Sequence, residues 1–282
     1  MKKTGIIGLG LIGGSYALAL KRTFPDMQFF GRDLHHLSRA LEIGLVQYEL
    51  TDDLLTQMDI IIIATPVNTI GNIANDVLDN INASCLVFDA GSTKSGIAKM
   101  IEKHPGRKNF LLAHPIAGTE YSGPDAAFAG LFEEKINIIC DVEKTDKALL
   151  KKAQVIFNKL KMNTIQMESK AHDKHIAYVS HLSHISSFML GKTVMDLEKD
   201  EKNIFQMAGS GFASTVRLAK SSPETWTPIF LENKKHILQS LDEYIDNLNN
   251  FKAMLYRENT QKIKSSLAEI NRIKTIIDRI KS

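Results

Sequence analysis

The run Gly8-Leu9-Gly10-Leu11-Ile12-Gly13 leaves the start of this chain very few folds to choose from. Before it, Thr4-Gly5-Ile6-Ile7 reads as the end of a buried strand, and after it Ser15 to Lys21 has the composition of a helix. A second strand pattern, "DMQFFGRD", then ends at Asp33, twenty residues beyond Gly13. Strand, G-x-G-x-x-G, helix, strand and a spaced acid together make the fingerprint of a dinucleotide-binding βαβ unit. Gly8 permits the tight turn, Gly10 lets the backbone approach a pyrophosphate, and Gly13 lets the helix pack close to the strand. The helix N-terminus at Leu11 and Ile12 offers free N–H groups to the phosphates. Asp33 accepts hydrogen bonds from ribose hydroxyls and repels a 2′-phosphate, which favours NAD, while the adjacent Arg32 leaves NADP open.

The same glycines answer a competing reading. Two lysines followed by an apolar stretch with Ala17-Leu18-Ala19 resemble an export signal, but such a signal needs an unbroken apolar centre. The strand pattern instead continues. "MDIIIIATPV" is a fully apolar run ending in Thr65-Pro66-Val67, "ASCLVFDAGSTKSGI" runs out into Gly91-Ser92-Thr93-Lys94, and "NFLLAHPIAGTE" turns polar at His114. "INIIC" and "NTIQME" follow, with the helical stretch "DKALLKKAQVIFNKL" between them. This alternation predicts an α/β fold with a Rossmann-type, doubly wound, mostly parallel sheet over residues 1–168. Ligands of such sheets sit beyond the carboxyl ends of the strands, so the tips at Thr65-Pro66, Gly91-Ser92 and His114-Pro115 are expected to share one crevice.

After about Ser169 the strand signals stop, and residues 169–282 read as an all-helical second domain. In "KAHDKHIAYVSHLSHISSFMLGKTVMDLE", an advance of about 100° per residue brings Asp173, His181 and His184 within an arc of about 80°, with His172 and His175 pointing elsewhere. No further ligand stands at metal spacing, so no metal site is expected. Arg217 lies in the otherwise small and apolar "GFASTVRLAKSS", suited either to an internal carboxylate or to a bidentate grip on a substrate carboxylate. Trp226 is the only tryptophan, and its default role is packing.

The totals exclude more than they identify. Hydrophobic residues make up 44% and charged residues 24%, with a net charge of +3, much of it in the C-terminal tail. That balance does not point to nucleic acid, and no long apolar run is free of charges and glycines beyond a marginal N-terminus, so no membrane span is expected. Cys85 and Cys140, each in an apolar run, read as buried fillers in a reducing, cytoplasmic setting.

A dinucleotide, a crevice histidine and an arginine describe a dehydrogenase of an anionic hydroxyl substrate. His114 would take the hydroxyl proton as hydride leaves for the nicotinamide, because its pKa lies near working pH, and Ser92 would hydrogen-bond the same hydroxyl or orient the imidazole. Reading from the residues stops at that reaction class. The segments "GIIGLGLIGGSYALAL", "DAGSTKSGI", "AHPIAGTEYSGPDAAFAGLFE", "HDKHIAYVSHLSHISSF" and "GFASTVRLAKSSPETWTPIF" add a resemblance to the prephenate/arogenate dehydrogenase family of tyrosine biosynthesis, over residues 4–250. The resemblance implies that His114 is the catalytic histidine, with Ser92 beside it, and that Arg217 grips the ring carboxylate. It implies that His181, His184, Thr119 and Glu120 line the substrate pocket, with Trp226 near them, and that the helical domain forms a homodimer. The implied reaction is oxidative decarboxylation of prephenate, or of arogenate, with NAD.

Other readings stay open from the residues alone. A β-hydroxyacid dehydrogenase shares the two-domain plan but relies on a lysine, for which Lys192 is the candidate. A non-catalytic NAD sensor would keep the glycines and Asp33 without needing His114, Ser92 and Arg217 together. The tail carries Ile263, Leu267, Ile270, Ile273, Ile277 and Ile280 at helical spacing, which reads as an amphipathic packing or dimer helix rather than a membrane binder. Neither a preceding chorismate mutase domain nor an appended sensing domain is expected.

Overall fold

The computed structural model describes residues 1–119, 121–200 and 203–281. Two compact units are present, Met1–Lys234 and Lys235–Ser282. In the first, eight strands form a single sheet: β1 (Lys3–Ile7), β2 (Gln28–Arg32), β3 (Tyr48–Glu49), β4 (Ile60–Ile63), β5 (Leu86–Asp89), β6 (Phe110–Pro115), β7 (Ile136–Cys140) and β8 (Asn163–Met167). Their order across the sheet is β3-β2-β1-β4-β5-β6-β7-β8. Strands β1 to β6 run parallel to their neighbours, so the carboxyl ends of β1, β4, β5 and β6 lie along one edge. β7 runs antiparallel to β6, with His114 opposite Ile138, and β8 is parallel to β7.

The helices of this unit are α1 (Leu11–Thr23), α2 (Leu37–Glu42), α3 (Val67–Asp79), α4 (Ser95–Ile101), α5 (Lys147–Lys159), α6 (Ser169–Ile176), α7 (Leu182–Asp200), α8 (Ser210–Thr215) and α9 (Pro223–Glu232). Side chains alternate across a strand, so each apolar run feeds two cores. Ile60, Ile62, Leu86 and Phe88 pack with Tyr16, Leu20, Ile156 and Phe157 of α1 and α5. Ile61, Ile63 and Val87 pack on the other face with Ile70, Val77, Ile97 and Ile101 of α3 and α4, and Ile229 of α9 joins that core. Burial on both faces is why the strands read as continuous apolar runs. Cys85 and Cys140 are free thiols buried in the second core.

Beyond Met167 every described element is helical. The sheet differs from the sequence expectation by β3, two residues too short to show a pattern. The helical stretch after Ser169 is also not continuous. A π-turn at Ala177–His181 separates α6 from α7. Such a turn closes with i→i+5 bonds and so inserts a residue into the α-helical register. In the second unit, most of α10 (Lys234–Tyr256) is followed by α11 (Thr260–Ile270) and α12 (Lys274–Lys281), with a 3₁₀ turn at Asn271–Ile273 interrupting the tail. Leu267, Ile270, Ile273 and Ile277 are exposed there, and the side chain of Ile280 lies outside the described part. No helix among the described residues is long and apolar enough to cross a membrane.

Candidate active site

At the carboxyl end of β1 the chain turns through Gly8, whose φ of +93° belongs to the left-handed region and whose added Cβ would stand 2.5 Å from the Ala64 carbonyl oxygen. One helical turn on, a Cβ on Gly13 would collide with the Gly8 carbonyl oxygen at 1.9 Å, so α1 can start here only with glycine at both places. Gly10 is different: nothing lies within 4 Å of where its Cβ would point. Among the described residues no side chain caps α1 and its first turn holds no acid. The N–H groups at Leu11 and Ile12 therefore open into a cradle that any side chain at residue 10 would fill, and the residues present fit a pyrophosphate.

Asp33 closes the far side of this loop. Its Oδ2 accepts from the Leu9 N–H at 2.7 Å, and its Oδ1 accepts from the His35 and His36 N–H groups at 2.8 and 2.9 Å. Burial alone would raise its pKa, but these three donors outweigh that and hold the carboxyl below its ordinary range. A carboxylate has about four acceptor positions, so one remains for a ribose hydroxyl. The neighbouring Arg32 is turned away, its Nε donating to the Leu50 carbonyl at 2.9 Å and its guanidinium pairing with Asp52 at 2.7 Å. Thr65 and Pro66 follow β4, where the Thr69 hydroxyl donates to the Pro66 carbonyl and accepts from the Thr65 hydroxyl.

Between β5 and β6 a buried ion pair fixes the next tip. Lys94 and Asp89 are fully buried and bonded to each other. Lys94 Nζ also donates to the Ala113 carbonyl at 2.7 Å, while Asp89 accepts from the Ala113 and Gly91 N–H groups at 3.0 and 2.9 Å. A buried pair is tolerated when its remaining positions are filled in this way. The pair thus ties the loop Gly91-Ser92-Thr93 to the residue preceding His114.

His114 is itself buried, 8% exposed. Its Nδ1 lies 2.8 Å from Nε2 of His172, and Nδ1 of His172 lies 2.8 Å from Oδ1 of Asp173. Asp173 in turn accepts from the backbone N–H groups of Lys94 (2.7 Å) and Ser95 (2.8 Å). Burial foremost, then the charges of His172, Lys94 and His181, push the His114 pKa well below 6.5. Burial also lowers His172, more than the Asp173 carboxylate raises it. Asp173 is held below its ordinary range because His172, Lys94 and Ser95 donate to it, against a burial effect of opposite sign. Both imidazoles are therefore neutral at neutral pH.

Across the π-turn sits a second group. The His184 and Trp226 rings stack with centroids 3.4 Å apart, and His181 meets the Trp226 ring edge-on at 5.9 Å. The Asn233 side-chain amide donates to the Asp173 carbonyl at 2.7 Å and to His181 Nδ1 at 3.2 Å. Burial lowers His181 to about 4. His184 donates from Nδ1 to the Ser180 carbonyl at 2.9 Å, and burial, with the charge of Arg217, lowers its pKa. Arg217 opens a short 3₁₀ turn, is exposed, and has no hydrogen-bond or ion-pair partner among the described residues.

The family models match the chain in two adjoining pieces: residues 16–166 match the nucleotide-binding domain of prephenate dehydrogenase, and residues 168–276 its dimerization domain. The chain belongs to the prephenate dehydrogenase family. Among curated relatives, the prephenate dehydrogenase of Bacillus subtilis is 31% identical over 93% of this chain and 73% of that one. Among solved structures, Aquifex aeolicus prephenate dehydrogenase in complex with hydroxyphenyl propionate and NAD+ aligns with a TM-score of 0.90 at 30% identity, covering 98% of both chains. Synechocystis arogenate dehydrogenase aligns with a TM-score of 0.80 at 25% identity, covering 98% of this chain and 99% of that one.

Within this family member, several expectations need correction. The Asp173 carboxylate bonds to the backbone at the start of α4, while Asn233 bridges the Asp173 carbonyl to His181. His172, expected to point away, is the residue that touches His114. Among the described residues no hydrogen bond joins Ser92 to His114, so the imidazole is oriented by His172 rather than by the serine. Lys192, the candidate of the rival reading, is held in a surface pair with Asp196 on α7. Thr119 is exposed and its hydroxyl accepts from the Tyr121 N–H at 3.2 Å. Glu120 lies outside the described residues. Trp226 packs, as expected, but against the two histidines. Sequence reasoning missed Lys94 and His172; the only signal for either was a lysine and a histidine placed next to residues already singled out.

Proposed function

We propose that the chain is an NAD-dependent prephenate dehydrogenase, which converts prephenate to 4-hydroxyphenylpyruvate by oxidative decarboxylation. The observation that carries this reading is the buried, neutral imidazole of His114, held through one nitrogen at the carboxyl edge of the sheet that begins with the glycine cradle. Gly8, Gly10, Leu11, Ile12, Gly13, Asp33, Thr65, Pro66 and Gly91 would hold NAD+, with Arg32 diverted to Asp52 and so a poor partner for a 2′-phosphate. When bound, NAD+ supplies the acceptor for the hydride that leaves the hydroxyl-bearing ring carbon. His114 takes the hydroxyl proton at Nε2 as that C–H bond breaks. The ring carboxylate departs as CO₂, its bonding electrons complete the aromatic ring, and the proton returns from His114 to the phenolate oxygen. Ser92, unengaged by His114, donates to or accepts from the same hydroxyl.

The remaining roles concern grip and position. Arg217, without a hydrogen-bond or ion-pair partner among the described residues, pairs with a substrate carboxylate, each charged hydrogen bond being worth about 1.5–3 kcal/mol. His181 presents Nε2–H, since Nδ1 already accepts from Asn233. His184, Trp226 and Thr119 complete the pocket. The likeness to the NAD+-bound Aquifex aeolicus enzyme supports both cofactor and substrate class; the likeness to the Synechocystis enzyme is the ground for arogenate as the second reading. We place the domain boundary at 168/169, where β8 gives way to α6, take the helical domain as the homodimer contact, and infer a cytoplasmic setting from two buried, unpaired cysteines. Initial rates at 340 nm with prephenate or arogenate, and NAD+ or NADP+, test the assignment. Prephenate with NAD+ should give the highest kcat/KM; absence of NADH formation with either substrate would overturn it.

A further inference from the structure

Resting on that reading, we infer that His172 is a positioning residue of the reaction: it fixes the proton of His114 on Nδ1 and so leaves the Nε2 lone pair as the base. The hydrogen-bond chain has a fixed end at Asp173. The Asp173 carboxylate can only accept, and both its oxygens already take backbone N–H groups from Lys94 and Ser95. The third bond it accepts, at 2.8 Å, must therefore come from a proton on His172 Nδ1. A neutral imidazole carries one ring proton, so His172 Nε2 is an acceptor. Among the described residues, the hydrogen-bond partner of that nitrogen is His114 Nδ1, at 2.8 Å, which must therefore donate. His114 is left with a bare Nε2.

Geometry makes this assignment firm rather than one of two equal alternatives. The reversed chain would put a proton on His172 Nε2 and leave Nδ1 as a lone pair facing a carboxylate, two acceptors at contact distance in a site without water access. His172 is 1% exposed and Asp173 2% exposed, so neither lost bond would be replaced by solvent. The chain also answers what happens after proton transfer. When Nε2 of His114 gains the hydroxyl proton, the new positive charge stands one imidazole away from a carboxylate, with a donor–acceptor path of two bonds between them. Ser92 makes no such bond to His114, so this duty falls to a residue from α6, outside the sheet.

Two substitutions separate the role from mere packing. His172→Leu removes the acceptor; His172→Gln restores an acceptor oxygen at about the place of Nε2 without restoring imidazole chemistry. With prephenate and NAD+, His172→Leu should lower kcat at least thirtyfold while both KM values stay within threefold, and His172→Gln should recover at least tenfold of that loss. Long-range ¹H–¹⁵N histidine spectra should show the wild-type His114 ring, identified by its loss in His114→Asn, as the Nδ1-protonated tautomer, and His172→Leu should shift it toward Nε2–H. Turnover of His172→Leu within twofold of wild type would overturn the inference, as would an Nε2-protonated His114 in the wild type. If His172→Leu fails to fold, His172→Gln and the wild-type spectrum decide. Wild-type protein that does not oxidise prephenate would sink the proposed function alone, because the tautomer is read without turnover.

Discussion

The His114 ring has one nitrogen committed to His172, and replacing the ring with an amide should remove the base without disturbing the cradle at β1. His114→Asn is therefore expected to cut kcat by about 10²–10⁴-fold, the usual span for losing a general base, with NAD+ affinity measured by fluorescence titration within twofold of wild type. Arg217 has the opposite profile. It is exposed and bonds to no side chain among the described residues, so Arg217→Ala should raise KM for prephenate roughly ten- to a hundredfold, the equivalent of one or two charged hydrogen bonds, while kcat changes little. His114 was readable from sequence because it ends an apolar strand, where a polar side chain has no structural duty. His172 was not, because a helical wheel presumes one pitch and the pitch changes at Ala177. Lys94 was hidden for another reason: after Gly-Ser-Thr it looks like a loop charge, and only the inward-facing Asp89 explains its burial.

At the scale of elements, the turn from β1 into α1 distinguishes two glycines that look alike in the motif. Gly13→Ala would press a methyl group into a backbone oxygen at 1.9 Å, whereas Gly10→Ala meets nothing within 4 Å. Gly13→Ala should lower the melting temperature and abolish NAD+ binding together; Gly10→Ala should melt like wild type and lose NAD+ affinity by tenfold or more, as calorimetry would show, because the methyl group occupies the phosphate's place. The central strands β4, β5 and β6 were legible in the sequence as apolar runs because both faces are buried, whereas the half-exposed β8 showed through the helix–strand alternation instead. β3 has two residues and no such run. The reversal at β7 left no mark either, since a strand reads the same in either direction and only the twenty-residue excursion between Pro115 and Ile136 sets it.

For the molecule as a whole, three buried histidines and one half-buried histidine act in one direction. His114, His172, His181 and His184 all have pKa values lowered mainly by burial. The unfolded chain takes up protons first as pH falls below 6.5, so the stability these rings contribute is complete above that value and drains away as pH falls toward about 4, where folded His181 titrates. The melting temperature should be flat above pH 7 and drop by several degrees between pH 6.5 and 4, and His181→Asn should flatten part of that slope if it folds. The exposed row Leu267, Ile270 and Ile273 is the counterpart in the second unit, apolar surface on a segment matching the dimerization domain. Ile270→Glu with Ile273→Glu should shift the mass measured by light scattering from dimer toward monomer, by putting charge where apolar contact is expected. The amphipathic spacing of that row was plain in the sequence; the break at Asn271–Ile273 was not, as it lacks proline or glycine.

The bonds from Asp173 to the backbone of Lys94 and Ser95 reach across a gap of nearly eighty positions in the chain. They fasten the first helix after the sheet to the loop beside His114, so neither half of the catalytic apparatus is complete when the other is missing. A severed N-terminal fragment ending at 168 would keep its glycines and its imidazole yet lack the strut that aims that ring. Such a piece would be a cofactor holder without a working base, and chemistry would return only when the missing helices are supplied in trans.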